Sequence, residues 1–287
     1  MSDLPVNSPT TGRPLAVLLP YKRAPREPIK LRLRFIHALG FVGLSAIIGG
    51  AAFAQSGGTQ LSALEVIFKW SPLLLYGFSF NILISVLAMS IGTLLGLALG
   101  LIMMEHNKPA RYAGWLLTQF FRNAPWLVLL FFAMFLIPFQ FNVFGTTIPF
   151  PDWIKATIGF SLPVMANVAE IVRGAVRSLP SGQWEAAESL AFSRRQTMWM
   201  IILPQCVKRM LPPWMNLYTL VAMATVQASI VGVTEMLTLT SEVHAAEGGR
   251  PELLAPLYGF AMLCFFLYCY PIERFTHYLE RRFNVQT

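Results

Sequence analysis

The sequence predicts an all-α protein: a polytopic bundle of transmembrane helices with about six spans. Three observations carry this. The chain has 287 residues, of which 55% are hydrophobic and only 13% charged, too apolar for a soluble domain of that length. Its apolar residues are gathered into runs long enough for helices to cross a hydrocarbon core of about 30 Å. Its net charge of +8 sits on segments flanking those runs, the distribution that orients a membrane protein, and not on an aromatic-bearing soluble face, so nucleic-acid binding is not expected.

Residues 1–34 are polar and proline-rich and end in Lys22, Arg23, Arg26, Lys30, Arg32 and Arg34. This reads as a disordered basic tail lying in the cytoplasm against anionic membrane lipid. Residues 35–54 carry no formal charge apart from His37 and are long enough for an extra N-terminal span. A cleaved signal peptide is the rival, because Ala52-Phe53-Ala54 follows a basic region and an apolar core. Residues 55–77 read as a periplasmic or interfacial segment, with Trp70 and Tyr76 approaching the next span.

The second span is expected over about Phe78 to Met104. Ala88, Gly92, Gly96 and Gly100 recur every fourth residue there, a small-residue stripe that lets another helix approach closely. The run from Tyr112 to Pro138 is interrupted by Arg122, Asn123 and Pro125. Proline removes a helical hydrogen bond, so an interfacial helix up to Phe121 and a span from Trp126 follow, with Arg122 anchoring the kink at the headgroups. A polar bend with Asn142, Gly145 and Asp152 leads to a span from about Trp153 to Val176. It contains Asn167 and Glu170. Arg173 is three residues beyond Glu170 and hence a neighbour on the same helix face, so a structural ion pair competes with a functional acid there.

Residues 181–205 form a polar island. Ser181 is placed to cap a short helix, and Ser193 with Gln196 fits a capping box opening a second one, which Pro204 limits. Pro212 and Pro213 are suited to the first turn of the fifth span, expected to end near Leu239. Thr225, Gln227 and Ser229 fall within it, too polar for lipid and so directed to a cavity or another helix. Residues 240–253 read as an outward loop in which His244 is a solvated side chain and not a metal ligand. The last span is Leu254 to Tyr270, ended by Pro271, and residues 277–287 form an amphipathic cytoplasmic tail.

Nineteen of the 22 Lys and Arg residues fall on the side of the polar island, and only Lys69, Lys155 and Arg250 on the other. That places the island and both termini in the cytoplasm. The chain has no phosphate-cradling Gly-x-x-x-x-Gly-Lys loop, no triad or paired carboxylates, and no metal-ligand spacing among Cys206, Cys264 and Cys269. No cofactor, metal or catalytic residue is therefore expected.

The polar island carries a resemblance. Glu185, Ala186 and Ala187, followed by Ile201, Leu203 and Pro204, match the motif of the inner-membrane permease subunits of ATP-binding-cassette importers, with Ala191 where that family has Gly. A positive φ at that turn would cost an alanine about 1 kcal/mol. The longer stretch AEIVRGAVRSLPSGQWEAA is similar to the family's polar-amino-acid branch, the histidine, glutamine and glutamate type. FFRNAPW resembles that branch's FRGTP element with Asn123 and Ala124 substituted. SIVGVTEM resembles SVIGVPEL, although Met223 and Ala224 replace a customary Lys and Asp.

The resemblance implies a type I importer-like permease domain over residues 78–276, whose cytoplasmic helix–turn–helix couples to an ATPase. It also implies the assembly: a dimer of cytoplasmic ATPase subunits that bind the ATP, a second permease subunit (the same chain or a homologue) and a periplasmic solute-binding protein, in a bacterial inner membrane. For the solute path the polar candidates are Asn167, Glu170, Thr225, Gln227 and Ser229, with helix-to-helix hydrogen bonds as the alternative role of each. The competing function is an ion-coupled secondary transporter of small polar solutes. No inverted repeat of spans, and few carboxylates within them, speak for it.

Overall fold

The computed structural model describes residues 61–283, apart from 106 and 144–145. The basic tail, the extra helix or signal over 35–54 and the last residues of the C-terminal tail lie outside the described residues. Three of the described helices are long and apolar enough to cross a membrane, and a bent pair makes a fourth crossing if it is one span.

Helix α1 (Ala63–Ile102) is 40 residues long and starts at Ala63, not Phe78, so much of the 55–77 segment is helical. Ser62 and Glu65 form a capping box, Glu65 Oε2 accepting from Ser62 N at 2.7 Å. Burial then carries the helix through Pro72: Val66 and Leu74 are fully buried against later helices, and such packing outweighs the local cost of a proline.

Helices α2 (Lys108–Asn123) and α3 (Trp126–Leu136) meet at a bend of 104°, where Pro125 cannot donate a backbone N–H. Strands β1 (Gln140–Val143) and β2 (Thr146–Pro149) then pair antiparallel, Phe141 opposite Ile148, where only a polar bend was expected. This hairpin is small enough to leave the fold a helical one. Helix α4 (Asp152–Arg177) returns. Its Lys155 is fully buried, with Nζ 3.2 Å from both Asp152 Oδ1 and the centre of the Phe139 ring, an ion pair and a cation–π contact in place of solvent.

After helix α5 (Ser181–Ser189), a helical rod runs without interruption from Arg194 to Val231. It comprises an opening turn, a π-helical turn (Thr197–Ile202), helix α6 (Leu203–Ala224) and a 3₁₀ segment (Thr225–Val231). Pro204 does not stop it, because the wide π turn lies just before the proline: Leu203 N bonds back to Met198 O, easing the clash a proline ring makes with the preceding turn. Pro212 and Pro213 accordingly lie inside α6, not at its start.

Gly232, at φ 88°, ends the rod. Helix α7 (Met236–Ala246) occupies ground expected to be span end and loop, and helix α8 (Leu254–Phe283) continues through Pro271 into the predicted tail. Thr276 and Leu279 are buried on that extension, so packing holds it helical. Near the N-terminal end of α1, Lys69 Nζ and Trp70 Nε1 both donate to Glu247 Oε1 at 2.7 Å. The bond from Lys69, then that from Trp70, keeps the Glu247 carboxyl below its ordinary pKa. His244 is half-buried and its Nε2 lies 3.0 Å from Arg250 O.

α1 divides its length between two partners. Its first half packs on α7 and α8 through Ala63, Val66, Leu74, Met236, Leu239 and Leu257. Its second half lies along α4, where Gly92, Gly96 and Gly100 face Val164, Val168 and Val172 in matched steps of four.

Candidate coupling hairpin and polar path

The hairpin begins with α5, whose N-cap is Pro180; Ser181 is its first helical residue and not the cap. Glu185 and Ala186 are exposed, and Ala187 is buried. The helix ends in a Schellman motif: Phe192 N bonds Ala187 O at 3.1 Å and Ala191 N bonds Glu188 O at 2.9 Å. The residue closing it is Ala191 at φ 56°, a left-handed conformation in a non-glycine residue. Ala191→Gly is therefore expected to raise stability, by up to about 1 kcal/mol, read as a higher midpoint of thermal unfolding in detergent; a lower midpoint would show that the methyl is held by packing.

Ser193 and Gln196 make the expected capping box, Ser193 N donating to Gln196 Oε1 at 2.8 Å. Beyond it Trp199 and Met200 are exposed, and with Ser193, Arg195 and Gln196 they border an open groove. The other side of the hairpin is anchored. Ile202 and Cys206 pack into a cluster with Ala175, Val176 and Leu179 at the end of α4, and Ile201 and Trp184 lie against it. Arg209 Nη1 donates to Ser178 O at 2.7 Å, and Gln205 Nε2 to Gln183 Oε1 at 3.1 Å. Leu203 is half-buried and Pro204 exposed. A force on the exposed face thus reaches α4 and α6 through packed side chains.

The five polar path candidates do not converge. Asn167 Nδ2 donates to Pro163 O at 2.8 Å. One turn on, Glu170 takes Arg173 Nε at 3.0 Å and Gln119 Nε2 at 3.3 Å, with Arg122 Nη1 3.8 Å away. Arg122 therefore sits beside an acid at the helix break. Thr225 and Ser229 give their hydroxyl hydrogens to Ala222 O and Val226 O. Gln227 Oε1 is buried without a partner among the described residues.

Thr225 belongs to a different group. Asn81 Nδ2 donates to Thr225 Oγ1 at 3.1 Å and to Glu235 Oε2 at 2.7 Å, and Asn81 Oδ1 accepts from Met236 N at 3.2 Å. Glu235 Oε1 takes Leu237 N at 2.9 Å and Thr238 N at 3.1 Å. Asn81 and Glu235 are both buried and form a polar layer between the two apolar clusters of α1. Sequence reasoning missed both. Glu235 had a usable signal, an acid directly before an apolar helical run, where it can cap; Asn81, a lone amide in an apolar run, had only the rule that such groups are paired.

Residues 92–285 match the family model described as binding-protein-dependent transport system inner membrane component. The chain is 34% identical over 212 residues to a probable amino-acid ABC transporter permease protein, YckA, of Bacillus subtilis (strain 168), an alignment covering 74% of this chain and 89% of that protein. It is 31% identical over 213 residues to the L-cystine transport system permease protein TcyB of the same strain, covering 74% and 87%. The fold matches a chain of a crystallised amino acid ABC transporter with histidines at a TM-score of 0.67 and 24% identity, covering 78% of this chain and all of that one. With the model spanning most of the described helices and their packing shared with a solved transporter, the chain belongs to the family of binding-protein-dependent transport system inner membrane components.

Proposed function

We propose that this protein is the membrane subunit through which an ATP-driven importer moves a polar amino acid or a related small solute across a bacterial inner membrane. Similarity to amino-acid permeases supports the solute class. The structural observation that carries the coupling is the hairpin itself: one exposed face with Glu185, Leu190, Trp199 and Met200, and one face stapled to α4 and α6. The motif residues divide between those two jobs. Glu185, Ala186 and Ala191 meet the partner, and Ala187, Ile201, Leu203 and Pro204 hold the hairpin's shape and its seat.

The partner is a cytoplasmic ATPase dimer, which binds and hydrolyses the ATP that this chain has no loop to hold. A second permease subunit completes the path, and a periplasmic binding protein delivers the solute. Both termini lie in the cytoplasm. Nucleotide-driven closure of the ATPase displaces the hairpin, and the rigid rods tilt between two states, the requirement for alternating access.

Glu185→Lys tests this. Reversing a charge at a docked face sets like charges together and costs several kcal/mol, so uptake by the assembled complex in proteoliposomes is expected to fall by about tenfold or more while membrane insertion is unchanged. Unchanged uptake by that variant would remove Glu185 from the coupling role.

A further inference from the structure

The α2–α3 break holds two guanidinium groups, Arg122 and Arg173, around the single carboxylate of Glu170. Arg173 occupies Glu170 Oε2 with both Nε and Nη2. Arg122 is left over. Its side chain is 46% exposed, its nearest acid oxygen is 3.8 Å away, beyond hydrogen-bond reach, and it makes no hydrogen bond with the described residues. Glu170 lies about two helical turns, or about 10 Å, before the end of α4 at Arg177. A cation exposed there is costly against lipid and calls for water or an anionic partner. Broken spans are also where transporters place the groups that meet their cargo.

The site carries one net positive charge and acceptors beside it. Glu170 Oε1 takes only the amide of Gln119, at 3.3 Å. Asn167, one turn earlier on the same face of α4, gives one amide hydrogen to Pro163 O and keeps its Oδ1 as an acceptor. Donors for a carboxylate next to acceptors for an ammonium are the complement of a zwitterion. A phosphate would gain from Arg122 but be repelled by Glu170.

We propose that Arg122 binds the carboxylate of the travelling amino acid at the α2–α3 break, with Glu170 and Asn167 facing its ammonium group. This rests on the transport reading above and names the contact within it. The test uses the complete complex with its ATPase and binding protein in proteoliposomes, and labelled common amino acids together with L-cystine as probes. The quantity read is solute moved per ATP hydrolysed.

Losing a hydrogen-bonded charge contact corresponds to a loss of about tenfold or more. Arg122→Gln is expected to lower the ratio by that amount, and Arg122→Lys to recover part of it, since it keeps the charge but not the forked donors. A ratio within about twofold of wild type for Arg122→Gln overturns the proposal. So does an equal loss in both variants accompanied by a lowered melting temperature, which marks Arg122 as a staple of the break alone. If exchanging anionic lipid for phosphatidylcholine lowers wild-type uptake while leaving Arg122→Gln unaffected, the occupant is a lipid phosphate and the proposal fails. A wild-type complex that moves no amino acid overturns the transport reading instead, and the inference falls with it.

Discussion

Replacing Gly96 with valine is expected to prevent α1 and α4 from packing and to leave little assembled protein in the membrane. A Cβ at Gly96 would stand 2.6 Å from the Met165 carbonyl oxygen and 2.6 Å from Val168 Cβ. The first of these is backbone and cannot rotate away. The helices would have to separate along the whole interface, because a Cβ at Gly92 or Gly100 would likewise stand only 2.4 Å from Val164 or 2.9 Å from Val172 on either side. Overpacking usually costs about 1–3 kcal/mol. Three further points raise the effect here: valine adds a branched side chain, the obstacle is main chain, and in lipid no hydrophobic effect compensates for lost close contact. A loss above about 3 kcal/mol is expected, measured as the denaturant or temperature midpoint in detergent. Gly174→Val is the control, since nothing lies within 4 Å of a Cβ there. If both variants unfold at the same point as wild type, the matched-ridge account of this interface is wrong.

The second large effect is expected at Glu235. Alanine there removes the cap of α7 and takes the acceptor from three hydrogens at once: the one on Asn81 Nδ2 that Thr225 Oγ1 does not take, Leu237 N–H and Thr238 N–H. Each buried unsatisfied donor costs about 1–3 kcal/mol, so Glu235→Ala is expected to destabilise by about 4 kcal/mol or more and to loosen α7 from α1. Glu235→Gln is the more informative variant. Asn81 cannot simply turn its amide over, because its Oδ1 already accepts from Met236 N. The new amide must therefore set an NH₂ group against a donor on one side, at a cost of about 1–2 kcal/mol. Thermal unfolding of the two variants should rank wild type, glutamine, alanine. Equal midpoints for glutamine and alanine would mean that charge, and not the acceptor count, is what the layer requires.

Features set by neighbouring residues could be read from the chain. The four-residue spacing of Gly92, Gly96 and Gly100 names a close helix contact in advance, because period and face are the same fact in a helix. The break at Pro125 and the box at Ser193 and Gln196 are local hydrogen-bond arithmetic. The question of a positive φ at Ala191 came from the resemblance, whose family has Gly there, and the turn holds Ala191 at φ 56°. Three later prolines misled. Pro212, Pro213 and Pro271 each lie within a helix, as Pro72 does, since in packed membrane helices neighbouring groups and local adjustments offset a proline's penalty of about 3 kcal/mol. The polar path candidates were chosen by residue type, which states that a group needs a partner but not which one.

The sequence by itself determined the class of protein, the small-residue face of α1, the span break at Pro125 and the hairpin around residue 190, because each depends on residues within a few positions of one another. Only the tertiary structure decided that α1 serves two partners, that Arg122 stands by Glu170, and that Asn81 meets Glu235 across 154 positions of chain. Those pairings follow from which faces the folded helices bury together, and a buried polar group takes whatever partner that packing brings within hydrogen-bond distance.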